Sequence, residues 1–170
     1  MSGVDYGLIT ESTTITIVAG AQSDNSQIFR NIRIAFESQF KAACDTASIT
    51  TRVFENVNFD FTALTKTALT AEWARGTLLP SDTQVASLGT TGRDLHTGLF
   101  QIDYYCQVGV GGYSEKLDTL ANQFRRGTKI SAGGTEVVLR GVSLGVGRVE
   151  DAFFIRNIDV SYHAVTPARS

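Results

Sequence analysis

From Phe100 onward the chain alternates. Phe100, Ile102, Tyr104, Cys106 and Val108 share one face of an extended segment, and Gln101, Asp103, Tyr105 and Gln107 share the other. A period of two, rich in aromatic and β-branched residues, predicts a strand half-buried on one side. The period then changes. Leu117, Leu120, Ala121 and Phe124 recur at the spacing of an amphipathic helix. Ser114 stands where an N-cap hydroxyl accepts from an orphan N–H, and Glu115 where the helix dipole favours an anion. Arg125 and Arg126 fall where the dipole favours cations, and Gly127 supplies a left-handed stop. Residues 92–128 therefore predict a strand, a glycine joint and a helix.

The rest of the chain carries the same two periods. In residues 1–24 the patch Thr13, Thr14, Ile15, Thr16, Ile17, Val18 is β-prone and flanked by Gly, Ser and Asp, which predicts an edge strand or an arm lying on a neighbouring subunit. Ser23, Asp24, Asn25 and Ser26 are cap-type residues. Ile28, Ile32, Phe36 and Phe40 then recur every four, with Ala35 and Ala43 filling in, a helix of about four turns ending near Cys44 or Asp45. A short strand is expected over residues 50–53, and residues 54–59 form a connector with two aromatic anchors. Residues 68–79 read as a strand around Trp73, stopped by Pro80, whose ring removes a ladder donor.

If that strand pairs with the next as a hairpin, residues 80–93 form a connection of about a dozen residues, longer than most hairpin loops and so a candidate binding loop. Further on, Gly133 and Gly134 mark a turn. Residues 135–144 read as a strand with Val137 and Leu139 on one face, and 145–147 as another turn. Residues 152–165 close the sheet, with Phe154, Ile158, Val160, Tyr162 and Ala164 opposite Asp159, Ser161 and His163. The element order predicts an α+β fold, a mostly antiparallel sheet with two main helices packed on one face. The expected organisation is an N-terminal arm (residues 1–24) and a single domain (residues 25–170).

Composition narrows the function. The chain is 42% hydrophobic and 19% charged, light in charge, as suits a subunit that hides surface in contacts. The net charge of −2 is spread without runs, which argues against a grip on the nucleic-acid backbone. Cys44 and Cys106 stand alone in apolar patterns and read as buried thiols. The first ten residues show neither the basic nor the apolar region of a signal peptide, and no apolar run reaches the ~18 residues of a membrane span.

Chemistry-bearing motifs are thin. Gly109, Gly111 and Gly112 join a strand to a helix N-terminus, where a phosphate would bind. Ser114 stands where the dinucleotide fingerprint needs glycine, so the segment reads as a joint. Gly141-Val-Ser143-Leu-Gly145 matches G-x-S-x-G, but a strand rather than a helix is expected after it. His163 as base with Asp151 or Asp159 as orienter would complete a serine hydrolase. His96 reads as a strand-surface residue and His163 as an outward one, and neither lies at metal-ligand spacing. Asp94 and Asp103 near His96 make a weak divalent-cation motif against a solvated strand face. Trp73 and the pair Tyr104 and Tyr105 suit either interface anchors or core. The candidate interaction residues are Pro80, Asp82, Gln84, Arg93 and Asp94 along the loop, with Arg125 and Arg126 as a possible partner patch. No catalytic constellation, cofactor or metal is expected.

The sequence resembles tail-terminator (tail-completion) proteins of long-tailed bacteriophages. The matching residues are 54–59, then Gly92 and Arg93 leading into Gly98, Leu99, Phe100, Gln101, Ile102, Asp103, Tyr104 and Tyr105. The glycine joint follows, and Leu120, Ala121, Phe124, Arg126, Gly127 and Thr128 close the helix. The likeness follows residues 26–164 in order of elements and is sharp over 92–128. It implies an α+β subunit that forms a closed ring, usually a hexamer, at the head–tail junction of the virion, assembled in the host cytoplasm. Such a ring ends growth of the tail tube and offers a surface to head-completion or connector proteins, with DNA passing through the lumen without specific binding. The residues depart from the pattern at Cys106, Gln107 and Val108, where the family often has a proline, and in the N-terminal arm. A head-completion (stopper) subunit is the alternative of the same class, and the Ser143 hydrolase the alternative of another.

Overall fold

The alternating run from Phe100 lies at the centre of a seven-stranded sheet. The computed structural model describes residues 27–55, 72–88, 92–109 and 111–167. Its elements are α1 (Ile28–Thr46), β1 (Arg52–Phe54), β2 (Glu72–Ser87), β3 (Arg93–Gln107), α2 (Tyr113–Asn122), β4 (Lys129–Ala132), β5 (Thr135–Leu144), β6 (Arg148–Glu150) and β7 (Phe153–Pro167). The fold is α+β. The strand order is β1-β2-β3-β7-β5-β4, with β6 pairing β7 alongside the end not covered by β5. β1 runs parallel to β2, and every other pairing is antiparallel. The expected arm and its caps at Ser23–Ser26, together with residues 56–71, lie outside the described residues.

The inward side chains of β3 and β7 match their periods. Phe100, Ile102, Tyr104 and Cys106 are buried on β3, and Ile158, Val160, Tyr162 and Ala164 on β7. The register sets Phe100 against Val160 and Ile102 against Ile158. The α1 stripe of Ile28, Ile32, Phe36 and Phe40 enters the same core, joined by Leu117 and Leu120 of α2 and by Val137 and Leu139 of β5. Phe36 stacks on Phe100 with ring centroids 4.6 Å apart, while Phe40 meets Phe100 edge-on at 5.9 Å. Such aromatic pairs add about 0.5–1.5 kcal/mol each beyond the area they bury. Cys44 and Cys106 are buried free thiols, and burial pushes the Cys44 thiol up to about 12.

Several expectations change. Pro80 does not end β2, which continues to Ser87, so much of the expected loop over 80–93 is a continuation of the ladder with β3. The physical reason is position: Pro80 sits on a stretch of β2 that no strand flanks on its outer side among the described residues, and edge strands tolerate a missing donor. The register slips between Pro80 and Thr83 and again between Val85 and Ser87, each a bulge that absorbs one extra residue.

Gly112, not Ser114, caps α2, in the left-handed conformation (φ 84°), and no side chain caps the helix. A glycine adopts that φ without the Cβ penalty, so the joint itself starts the helix. The helix ends at Asn122. Arg125 and Arg126 lie beyond it, with no basic residue in its last turn, so dipole complementation does not explain them. Phe124 is also past the helix yet fully buried. Gly127 does adopt the left-handed conformation (φ 86°). Val108 follows the end of β3 and is half-exposed rather than inward.

Candidate interaction surface

The far end of the β2–β3 hairpin is assembled around one buried histidine. His96 is 1% exposed, against the expectation of a surface residue. Its Nδ1 lies 3.0 Å from Thr83 Oγ1 on β2 and its Nε2 2.9 Å from Thr166 Oγ1 on β7. The Phe29 ring of α1 meets it edge-on at 5.6 Å. The imidazole thus ties the two strands flanking β3 to the first turn of α1. Both ring nitrogens are engaged by hydroxyls, and Asp103 lies on the opposite face of β3, so the suggested His96, Asp94 and Asp103 grouping is not brought together. Among the described residues no three His, Cys, Asp or Glu side chains gather to hold a metal.

That end of the sheet carries exposed apolar side chains. Val85 is 66% exposed, Leu88 90% and Leu79 44%. Pro80, Asp82, Gln84 and Arg93 are exposed beside them and Asp94 half-buried, so five of the expected residues share one hairpin. At its foot a hollow of about 340 Å³ is lined by Phe29, Arg30, Arg33, Glu55, Leu78 and Pro80. Arg125 and Arg126 are not part of this group. They precede the turn in which Gly127 N–H donates to the Leu139 carbonyl of β5 (2.8 Å). β5 stands three strand spacings from β2, roughly 14 Å at 4.8 Å per strand. Val85 and Leu88 were missed because each is a lone apolar residue in a polar stretch. His96 was missed because a polar residue on the inward register of Phe100 carries no hydrophobic signal.

At the opposite end of β2, Trp73 and Tyr105 stack with centroids 3.6 Å apart and planes 8° from parallel. They line a hollow of about 380 Å³ with Glu150, Asp151, Phe153 and Ile155. Tyr104, on the other face, donates to Glu72 Oε2 at 2.7 Å, and Lys116 of α2 pairs with the same carboxylate. Burial first, then the hydrogen bond and charge of Glu72, push the Tyr104 phenol far above its usual range. The outer face of the central strands is polar: Gln101 Nε2 donates to Asp103 Oδ1 (3.0 Å), and Asn157 Nδ2 to Asp159 Oδ2 (3.1 Å).

The G-x-S-x-G match lies at the end of β5 and is followed by another strand, β6, so it is not a strand-to-helix elbow. Ser143 stands opposite Asp159, whereas His163 stands opposite Val138, four residues along β7, roughly 13 Å away at 3.3 Å per residue. A base at that distance does not reach the hydroxyl, so the hydrolase reading loses its geometry.

A family model described as "Phage tail terminator protein" matches residues 31–162. The chain belongs to the phage tail terminator protein family. The match runs from the start of α1 to Tyr162 of β7 and takes in β2 and β3 entire. This tail terminator is therefore a structural virion protein of a family that assembles with other phage tail and head proteins. One solved structure that carries no descriptive name aligns with a TM-score of 0.59 at 22% identity, covering 82% of this chain and 96% of its own. That likeness is one of fold. A chain from the virion of a native gene transfer agent particle aligns with a TM-score of 0.44 at 18% identity, covering 83% of this chain and 98% of its own. No curated protein shows a significant sequence match. Among the described residues no helix is long and apolar enough to cross a membrane.

Proposed function

We propose that this chain forms a closed ring, a hexamer, on the end of the tail tube at the head–tail junction. There it ends tube polymerisation and presents a docking surface to the head-completion or connector protein. The observation that carries this reading is the family match over residues 31–162. The exposed apolar hairpin end supports it, because Val85 and Leu88 are costly to leave in water and suit a subunit contact. In the ring, both helices lie on one face of a mostly antiparallel sheet, and the polar outer face is free for neighbours or lumen. Residues 25–170 form the ring-building domain and residues 1–24 an arm.

Pro80, Asp82, Gln84, Arg93 and Asp94 then belong to a contact with a neighbour or with the tube. Arg125 and Arg126, on the far side of the sheet, belong to a second one. Two separate patches suit head-to-tail contacts, which close by rotation rather than pairing like with like. A net charge of −2 suits a lumen that lets DNA slide past without binding.

The test is the length of tails in a strain lacking the protein. Overlong tubes support a terminator. Tails of normal length that fail to join heads point to a head-completion subunit instead.

A further inference from the structure

Past Gly76, the outer edge of β2 pairs with no strand among the described residues. Pro80 and the bulge after it disrupt regular pairing at the foot of that edge. Beyond them, residues 82–87 form an open stretch with one charged side chain, Asp82, and with Val85 exposed along it and Leu88 just past its end. An unpaired edge with apolar side chains is a template for another strand.

The chain itself holds a segment that fits. Residues 13–18, Thr-Thr-Ile-Thr-Ile-Val, match residues 82–87 in length and are β-branched throughout. The start of α1 lies beside this same edge: Phe29 packs on His96, and Phe29 and Arg30 line the hollow with Leu78 and Pro80. Charge agrees. Residues 1–26 carry Asp5, Glu11 and Asp24 and no Lys or Arg, whereas Arg30, Arg33 and Arg93 stand about the edge.

We propose that the open edge of β2 over residues 82–87 is a strand acceptor, and that its occupant is residues 13–18 of a second copy of this chain. A neighbouring copy is the donor because a strand supplied from outside adds a head-to-tail contact, which a strand folded back on its own subunit does not. The nine residues between 18 and 28 reach up to ~30 Å, enough to cross to an adjacent subunit. This inference rests on the self-assembly proposed above and identifies the element that carries it.

The experiment uses full-length single-cysteine additions. Chains carrying Thr14→Cys, Ile15→Cys, Thr16→Cys or Ile17→Cys are each mixed with chains carrying Val85→Cys and oxidised. Cys44 and Cys106 are buried and do not compete. A disulfide needs Cα atoms within about 7 Å, so only a seated strand links. The expected result is a covalent dimer of one arm variant and one Val85→Cys chain, at one or two of the four positions. Adding Thr16→Pro to a linking chain other than Thr16→Cys, or Thr14→Pro to Thr16→Cys, removes an arm N–H and should abolish it. No linked dimer at any of the four positions overturns the proposal. So does an intrachain bridge in a chain carrying both cysteines, which would place the strand on its own subunit. The two readings fail separately: a missing cross-link removes strand exchange alone, and normal tail length in the null strain removes the terminator reading alone.

Discussion

Pro80 stands directly opposite Gly98 across the β2–β3 ladder. The pair shows how the hairpin continues past a proline. A Cβ on Gly98 would lie 2.6 Å from the Leu79 carbonyl oxygen and 2.7 Å from the Tyr162 hydroxyl. The first neighbour is backbone and does not yield without moving β2. Gly98→Ala is expected to destabilise the subunit by about 1–3 kcal/mol, the usual cost of overpacking. Urea unfolding followed by circular dichroism measures it. An unchanged midpoint would show that the strands part at no cost.

The Trp73 and Tyr105 rings brace the start of β2 against β3 on the face away from α1. Trp73 is 2% exposed, so Trp73→Ala is expected to cost about 3–5 kcal/mol. A double-mutant cycle with Tyr105→Ala should return a coupling of about 0.5–1.5 kcal/mol. Coupling near zero would mean that the stack holds only by shape.

Tyr104 makes stability fall in alkali. Its phenol ionises in the unfolded chain near pH 10 but is held neutral in the fold by burial and by Glu72. Above pH 10 the unfolded state therefore carries fewer protons, and stability drops as pH rises toward the folded value; below pH 10 the contribution is complete. Tyr104→Phe should flatten part of that alkaline loss while costing about 1.5–3 kcal/mol at neutral pH through the lost bond to a charged partner. Thermal melts from pH 8 upward decide it. Tyr105 and Tyr162, both also raised by burial, retain the rest of the slope.

Ser143 is exposed near the end of β5 and remote from His163. Ser143→Ala should change stability by less than about 0.5 kcal/mol and leave tail length as in the parent phage. Loss of function with folding intact would reopen the hydrolase reading.

The helix of Ile28, Ile32, Phe36 and Phe40 and the inward runs of β3 and β7 were legible before any coordinates, because each periodicity repeats within a few residues. The Gly133-Gly134 turn was equally plain. It joins Ala132 and Thr135 with both glycines at positive φ, a chain reversal that other residues rarely supply. β6 was not legible. Three exposed residues have no pattern of their own, and they become a strand only by pairing with the start of β7.

The candidate surface divides along the same line. Pro80, Asp82, Gln84, Arg93 and Asp94 read in sequence as a loop and stand in the fold on one hairpin, while Arg125 and Arg126 lie across the sheet from them. The sequence by itself determined which side chains of α1, β3, β5 and β7 leave water, since that is written in local alternation. Only the tertiary structure decided that β7 inserts between β3 and β5, that His96 bonds Thr83 and Thr166, and that the outer edge of β2 beyond Gly76 meets no strand among the described residues. Those outcomes depend on contacts between residues as far apart as Arg93 and Pro167, summed over the whole core, and no local window contains them.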